Sequence, residues 1–142
     1  MNLFIVVSDE AGGWELITPP LGDTILPGVT RDSVLCLARD HAAGKLSIDG
    51  LPKTFKVSER KLTMPEIARL QKEGKLVEMF GSGTAAVVSP IKEIGYDGAK
   101  IPVPVGSDGL GDVARAMLRE INGRQLGTIE SEWSVVVEDT KA

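Results

Sequence analysis

The 142-residue sequence predicts a mixed α/β domain whose sheet is mostly antiparallel. Three observations carry that reading. Short apolar runs recur between turn-forming stretches, as buried and half-buried strands do. Three longer segments read as helices from apolar spacing, start signals or glycine stops. The first two apolar runs are separated only by a polar, glycine-containing stretch, so the chain opens on a hairpin.

Leu3 to Val7 and Trp14 to Thr18 form the arms of that hairpin, with Ser8-Asp9-Glu10-Ala11-Gly12-Gly13 as a loop longer than the tightest kind. Pro19-Pro20 ends the second strand. After the Leu26-Pro27-Gly28 turn, Thr30 is positioned as the N-cap of a helix that carries Val34, Leu35, Leu37 and Ala38 on one side and stops near Ala43-Gly44. Residues 44–54 read as a surface loop, and Phe55 to Arg60 resumes a strand. Thr63-Met64-Pro65-Glu66 is a capping box with proline in the first turn, which predicts a helix to about Glu73 with Gly74 as its stop. Leu76 to Phe80 is a strand feeding a Gly81-Ser82-Gly83-Thr84 turn, and Ala85 to Val88 a further strand. Ile91 to Val105, interrupted by Asp97-Gly98, reads as another hairpin. Leu110 to Asn122 is the third helix, capped by Gly123, and Trp133 to Val137 is a closing strand.

The composition, with 42% hydrophobic and 25% charged residues, is that of one folded domain covering residues 1–142. A net charge of −4 without a basic block argues against nucleic acid and anionic membrane as partners. No run approaches the roughly 20 apolar residues that span a bilayer. The first apolar segment lacks a basic region before it and a cleavage pattern after it, so it reads as a strand and not a signal. One cysteine, Cys36, and one histidine, His41, cannot assemble a Cys/His zinc site, and no metal is expected. A serine-histidine-aspartate triad would have to use His41, which reads instead as an exposed helix-terminal residue.

Two turns share one physical property, unpaired backbone N–H groups where an anion could sit. In Leu26-Pro27-Gly28-Val29-Thr30-Arg31, the Val29 and Thr30 amides point out of a helix N-terminus. In Gly81-Ser82-Gly83-Thr84-Ala85, glycines permit a concave run of amides, and the Ser82 and Thr84 hydroxyls can join them on phosphate or carboxylate oxygens. On the residues alone, two structural turns and two anion-receiving turns are equal readings.

Several longer words resemble the C-terminal large domain of branched-chain amino acid aminotransferases, in order and rough spacing from Met1 to about Val137. They are Glu15-Leu16-Ile17-Thr18-Pro19-Pro20-Leu21, Ile25-Leu26-Pro27-Gly28-Val29-Thr30-Arg31, Val57-Ser58-Glu59-Arg60, Leu62-Thr63-Met64 and Glu78-Met79-Phe80-Gly81-Ser82-Gly83-Thr84-Ala85. The resemblance implies fold type IV, with a curled pseudo-barrel sheet flanked by helices, and pyridoxal 5′-phosphate as cofactor. It implies transamination between leucine, isoleucine or valine and 2-oxoglutarate, so branched-chain amino acids and 2-oxo acids are the expected partners. The expected full-length form is a homodimer, cytoplasmic or mitochondrial. Family roles carried over residue by residue place the cofactor phosphate on Val29, Thr30, Gly83 and Thr84, and the substrate carboxylate on Ala85.

The resemblance also says what is missing. The family's Schiff-base lysine, and the glutamate that pairs with the pyridine nitrogen, belong to sequence upstream of Met1-Asn2, with the small domain. None of the nine lysines here holds the Schiff-base position, so no catalytic residue is assigned and the chain alone is expected to be inactive. The Cys-x-x-Cys pair of animal members is replaced by Ala86 and Ser89, which excludes that thiol switch. Losing the upstream chain is expected to expose a sheet edge and apolar surface that the full enzyme covers. Two other classes stay open: a non-catalytic anion-binding or regulatory paralogue that pairs with a full-length enzyme, and another fold type IV enzyme such as a D-amino acid aminotransferase or a lyase.

Overall fold

Strict alternation in the first apolar run decides where the layers lie. In the computed structural model, which describes residues 1–140, strand β1 (Asn2–Ser8) sends Phe4 and Val6 to one face of the sheet and Ile5 and Val7 to the other. Both faces are covered, so β1 reads as a continuous apolar run. It pairs antiparallel with β2 (Trp14–Thr18) on one side and with β4 (Leu76–Gly83) on the other. β1 is thus the middle strand of the sheet. The edges are β3 (Phe55–Glu59) and β5 (Val87–Pro90), in the order β3-β2-β1-β4-β5. β3 is parallel to β2, and helix α1 (Val29–Ala42) lies in the crossover that a parallel pair requires.

Helices α1 and α3 (Asp112–Gln125) cover one face through Val34, Leu35, Ala38, Val113 and Met117, over the stacked rings of Phe4 and Phe80. The opposite face packs against Ile67 of α2 (Met64–Lys72) and against the segment that includes the two-stranded β6 (Glu93–Tyr96) and β7 (Ala99–Pro102). The predicted capping box is formed. The Thr63 N–H donates to Glu66 Oε2 at 2.7 Å, and the Glu66 N–H donates to Thr63 Oγ1 at 3.3 Å.

Five sequence expectations are corrected. Gly28, not Thr30, is the N-cap of α1, since extended backbone at residue 28 already lets its carbonyl accept from the Asp32 N–H. The Gly81-Ser82-Gly83 stretch is strand, and the turn is Thr84-Ala85-Ala86, so the following strand starts at Val87 and not Ala85. α3 runs through Gly123, whose missing side chain makes room for Ile129 as the chain folds back. Trp133 to Val137 is not a strand, because it pairs with nothing in the sheet, and Val135, Val136 and Val137 are exposed. His41 is half-buried rather than exposed. Its Nδ1 accepts from the Ile48 N–H, and Nε2 lies 3.0 Å from the Pro52 carbonyl, clipping the 44–54 loop to α1.

Candidate anion-binding site

Period-two alternation puts Glu78, Phe80 and Ser82 of β4 on the helix-covered face, and each meets something different. Phe80 fills the core between the other two. Glu78, 2% exposed, reaches the N-terminus of α3 and accepts from the Val113 N–H at 2.6 Å and the Ala114 N–H at 3.2 Å. A carboxylate satisfies amides that a helix start otherwise leaves open and complements its dipole. Gly111 leaves the room, since a Cβ there would overlap the carboxylate. Burial nonetheless pushes the Glu78 carboxyl above its ordinary value, with the two amide bonds pulling the other way.

Four residues further along the strand, the arrangement is different. Ser82 is fully buried, and among the described residues its Oγ has no hydrogen-bond partner. Asn2 is its directly paired neighbour on β1, so both side chains leave the sheet on the same face. The Asn2 Nδ2 donates to the Leu26 carbonyl at 2.8 Å and ties the strand to the turn before α1. A Cβ on Gly28 would overlap Asn2 Oδ1, so glycine is required for this approach. α1 begins immediately after, with no side-chain cap. By helix geometry its first amides have no intrahelical acceptor.

The two predicted turns therefore face one cavity of about 250 Å³, and Val29, Thr30, Gly83, Thr84 and Ala85 all line it, together with Ser82 and Asn2. Gly83 contributes from the strand end, and Thr84 and Ala85 from the exposed turn. Val87, which closes the turn, holds φ of 52°, a strained conformation for a β-branched residue. The lining includes no lysine and no carboxylate. Uncapped amides, three hydroxyl-bearing residues and the positive end of a helix dipole suit a compact oxyanion such as a phosphate group. An unpartnered buried hydroxyl fits the same conclusion.

Arg31, in the first turn of α1, is buried and fixes the orientation of that helix start. Its Nη2 donates to the Pro19 carbonyl at 3.0 Å and to Glu59 Oε1 at 2.5 Å, while Arg39 donates to Glu59 Oε2 at 2.7 Å. The two guanidinium groups hold the Glu59 carboxyl below its ordinary value. Three of the sequence words above thus meet at one ion cluster. Sequence reading missed Asn2, Arg31 and Glu78. The available signal for Glu78 was a lone acid at a core-facing position of an apolar strand, and none marked Asn2.

A wider groove of about 460 Å³ lies between α1 and α3, lined by Cys36, Arg124 and Trp133, with Arg124 over the indole ring. Its lining includes the exposed Val29 but not the amide-rich turn, Ser82 or Thr84. No group of residues suited to a metal ion occurs among the described residues, and no helix there is long and apolar enough to cross a membrane.

Comparison with known proteins follows the same residues. The profile of the amino-transferase class IV family matches residues 1–94. The branched-chain-amino-acid aminotransferase of Monosiga brevicollis is 44% identical over 137 residues, covering 96% of this chain and 32% of that protein. The cytosolic branched-chain-amino-acid aminotransferase of Saccharomyces cerevisiae is 45% identical over 142 residues, covering 98% of this chain and 36% of that protein. Mitochondrial enzymes of the same name are also among the relatives. The chain thus spans about a third of the length of the curated relatives it matches. Among solved structures, an aminotransferase from Brucella abortus bound to the co-factor PLP aligns with a TM-score of 0.50 and 26% identity, over 84% of this chain and 32% of that one.

Proposed function

The chain belongs to the amino-transferase class IV family, and from that premise we propose that it is the large-domain part, residues 1–142, of a pyridoxal-phosphate-dependent branched-chain amino acid transaminase. The observation that carries the reading is the convergence of the uncapped α1 start and the Gly83-Thr84-Ala85 segment on one cavity free of carboxylates. The substrates are leucine, isoleucine or valine and a 2-oxo acid such as 2-oxoglutarate. The working assembly is a homodimer, in the cytosol or in mitochondria.

Val29 and Thr30 offer their amides to the cofactor phosphate, and Gly83 and Thr84 close on it from the sheet side. Ala85, one step outward on the turn, offers its amide to the substrate carboxylate. When bound, the cofactor supplies the carbonyl that takes up the amino group and the ring that draws electrons from the substrate α-carbon. The chain's own contribution is charge compensation and position. With Arg31 anchored by Glu59 and Asn2 holding the Leu26 carbonyl, the α1 amides are set before the ligand arrives. The lysine that moves the proton is not among the cavity's lining residues, so turnover requires a residue from elsewhere in the whole enzyme.

The test is a titration of the purified chain with pyridoxal phosphate, alongside a leucine/2-oxoglutarate assay. A second assay uses a chimera carrying the preceding two thirds of the Saccharomyces cerevisiae cytosolic relative. Binding by the chain with turnover only by the chimera is the expected result. Absence of binding would sink the cradle reading, and binding with an inert chimera would favour the non-catalytic paralogue.

A further inference from the structure

We propose that the Ser82 hydroxyl is a hydrogen-bond donor to the bound phosphate group, reaching it from the sheet floor beneath the α1 N-terminus. The proposal rests on the reading of this cavity as a phosphate cradle. A fully buried hydroxyl without a partner is an exception among folded proteins and calls for an acceptor that the chain itself does not supply. Its direction is fixed by pairing. Asn2, directly opposite on β1, sends its side chain to the Leu26 carbonyl, two residues before the N-cap of α1, and Ser82 shares that face. Ser82 also lines the cavity that Val29 and Thr30 line.

Comparison along β4 gives the chemical reason for serine. At position 78 the strand carries a carboxylate, which serves as the anion for the α3 start. At position 82, on the same face, it carries an uncharged donor beneath the uncapped α1 start. A carboxylate there would occupy and repel the place of an incoming phosphate, and an alanine would leave a phosphate oxygen without a donor. Ser82 is on the central part of the sheet, between β1 and β5, so its hydroxyl is held more rigidly than that of exposed Thr84. Its position on the α1 side assigns it to the phosphate rather than to the carboxylate expected at Ala85.

Ser82→Ala in the full 142-residue chain tests the assignment, titrated by calorimetry with pyridoxal phosphate, inorganic phosphate and pyridoxal. Loss of a hydrogen bond to a charged group is expected to weaken the two phosphate-bearing probes by roughly ten- to a hundredfold. Pyridoxal, which reaches surface lysines by its aldehyde alone, is expected to bind both proteins equally. The urea midpoint is expected to stay or rise, because no internal partner is lost. Unchanged phosphate affinity would overturn the Ser82 assignment alone. So would an equal loss for pyridoxal, or a fall in the urea midpoint. Failure of the unmodified chain to bind either phosphate probe would overturn the assignment together with the cradle reading.

Discussion

At the scale of single residues, the site depends on a close approach that the missing Cβ of Gly28 permits. Gly28 lets Asn2 stand against the turn, and Asn2 in return holds the Leu26 carbonyl, so neither residue can be judged by itself. Gly28→Ala is expected to destabilise the fold by about 1–3 kcal/mol, the cost of overpacking, because its Cβ meets Asn2 Oδ1. Asn2→Ala alone removes one hydrogen bond, worth about 1 kcal/mol. In the double variant the clash is gone. A urea-denaturation cycle should therefore give a coupling of at least about 1 kcal/mol, with the second substitution relieving the first. Strict additivity would mean that the added Cβ does not meet Asn2, since the backbone at residue 28, with φ of −68°, is open to any residue. None of this was legible in the sequence, where Gly28 stood out as a turn former and Asn2 as the second residue of a strand. The five residues read as ligand-side positions, which line one cavity, stood out because they lie in two long words rich in glycines and hydroxyls.

At the scale of elements, the most informative comparison is between two acids whose surroundings push them in opposite directions. Glu59 lies on the edge strand β3 and is held by Arg31 and Arg39, so its carboxyl titrates below its ordinary 4.5. Its contribution to stability is present above that value and is lost as pH falls through the lowered one. Glu78 lies on the buried strand β4, and desolvation raises its carboxyl above 4.5. Its contribution is complete below 4.5 and declines as pH rises through the raised value, because the unfolded chain releases the proton first. Glu78→Gln, close in shape to the protonated acid, is expected to stay within about 1 kcal/mol of the unmodified chain at pH 4.5 and to flatten the decline above it. Glu78→Ala, which orphans two amides of α3 and leaves a void, should cost about 2–4 kcal/mol. Urea midpoints at several pH values check both, and an undiminished slope in Glu78→Gln would assign the decline to another group. Sequence patterning found β4 but not this role, because a strand's alternation says which face a residue takes and not which helix end waits there.

At the scale of the whole molecule, what was legible follows from the range of each signal. Hairpins, the capping box and the three helices were readable because their causes lie within a few residues of one another. The order β3-β2-β1-β4-β5 was not, since the β1–β4 and β2–β3 pairings join segments far apart in the chain. The closing strand failed for a related reason. Trp133-Ser134-Val135-Val136-Val137 has the composition of a strand, but it pairs with neither edge strand, β3 nor β5, and finds no ladder. Tertiary context thus overrode β-propensity. The same segment leaves three consecutive valines exposed at 85%, 76% and 87%, a β-prone apolar stretch with unpaired backbone. Because these side chains are largely solvent-exposed, Val135→Lys with Val137→Lys should change folding stability by less than about 0.5 kcal/mol. Self-association is another matter, since the two charges interrupt the stretch through which chains would pair. Light scattering against concentration is therefore expected to show a lower tendency to associate in the double variant at an unchanged urea midpoint. A lowered midpoint would instead show that the valines are packed in solution, and unchanged scattering would move the associating surface to the apolar rim of the cavity, where Met1, Leu26 and Val29 are exposed.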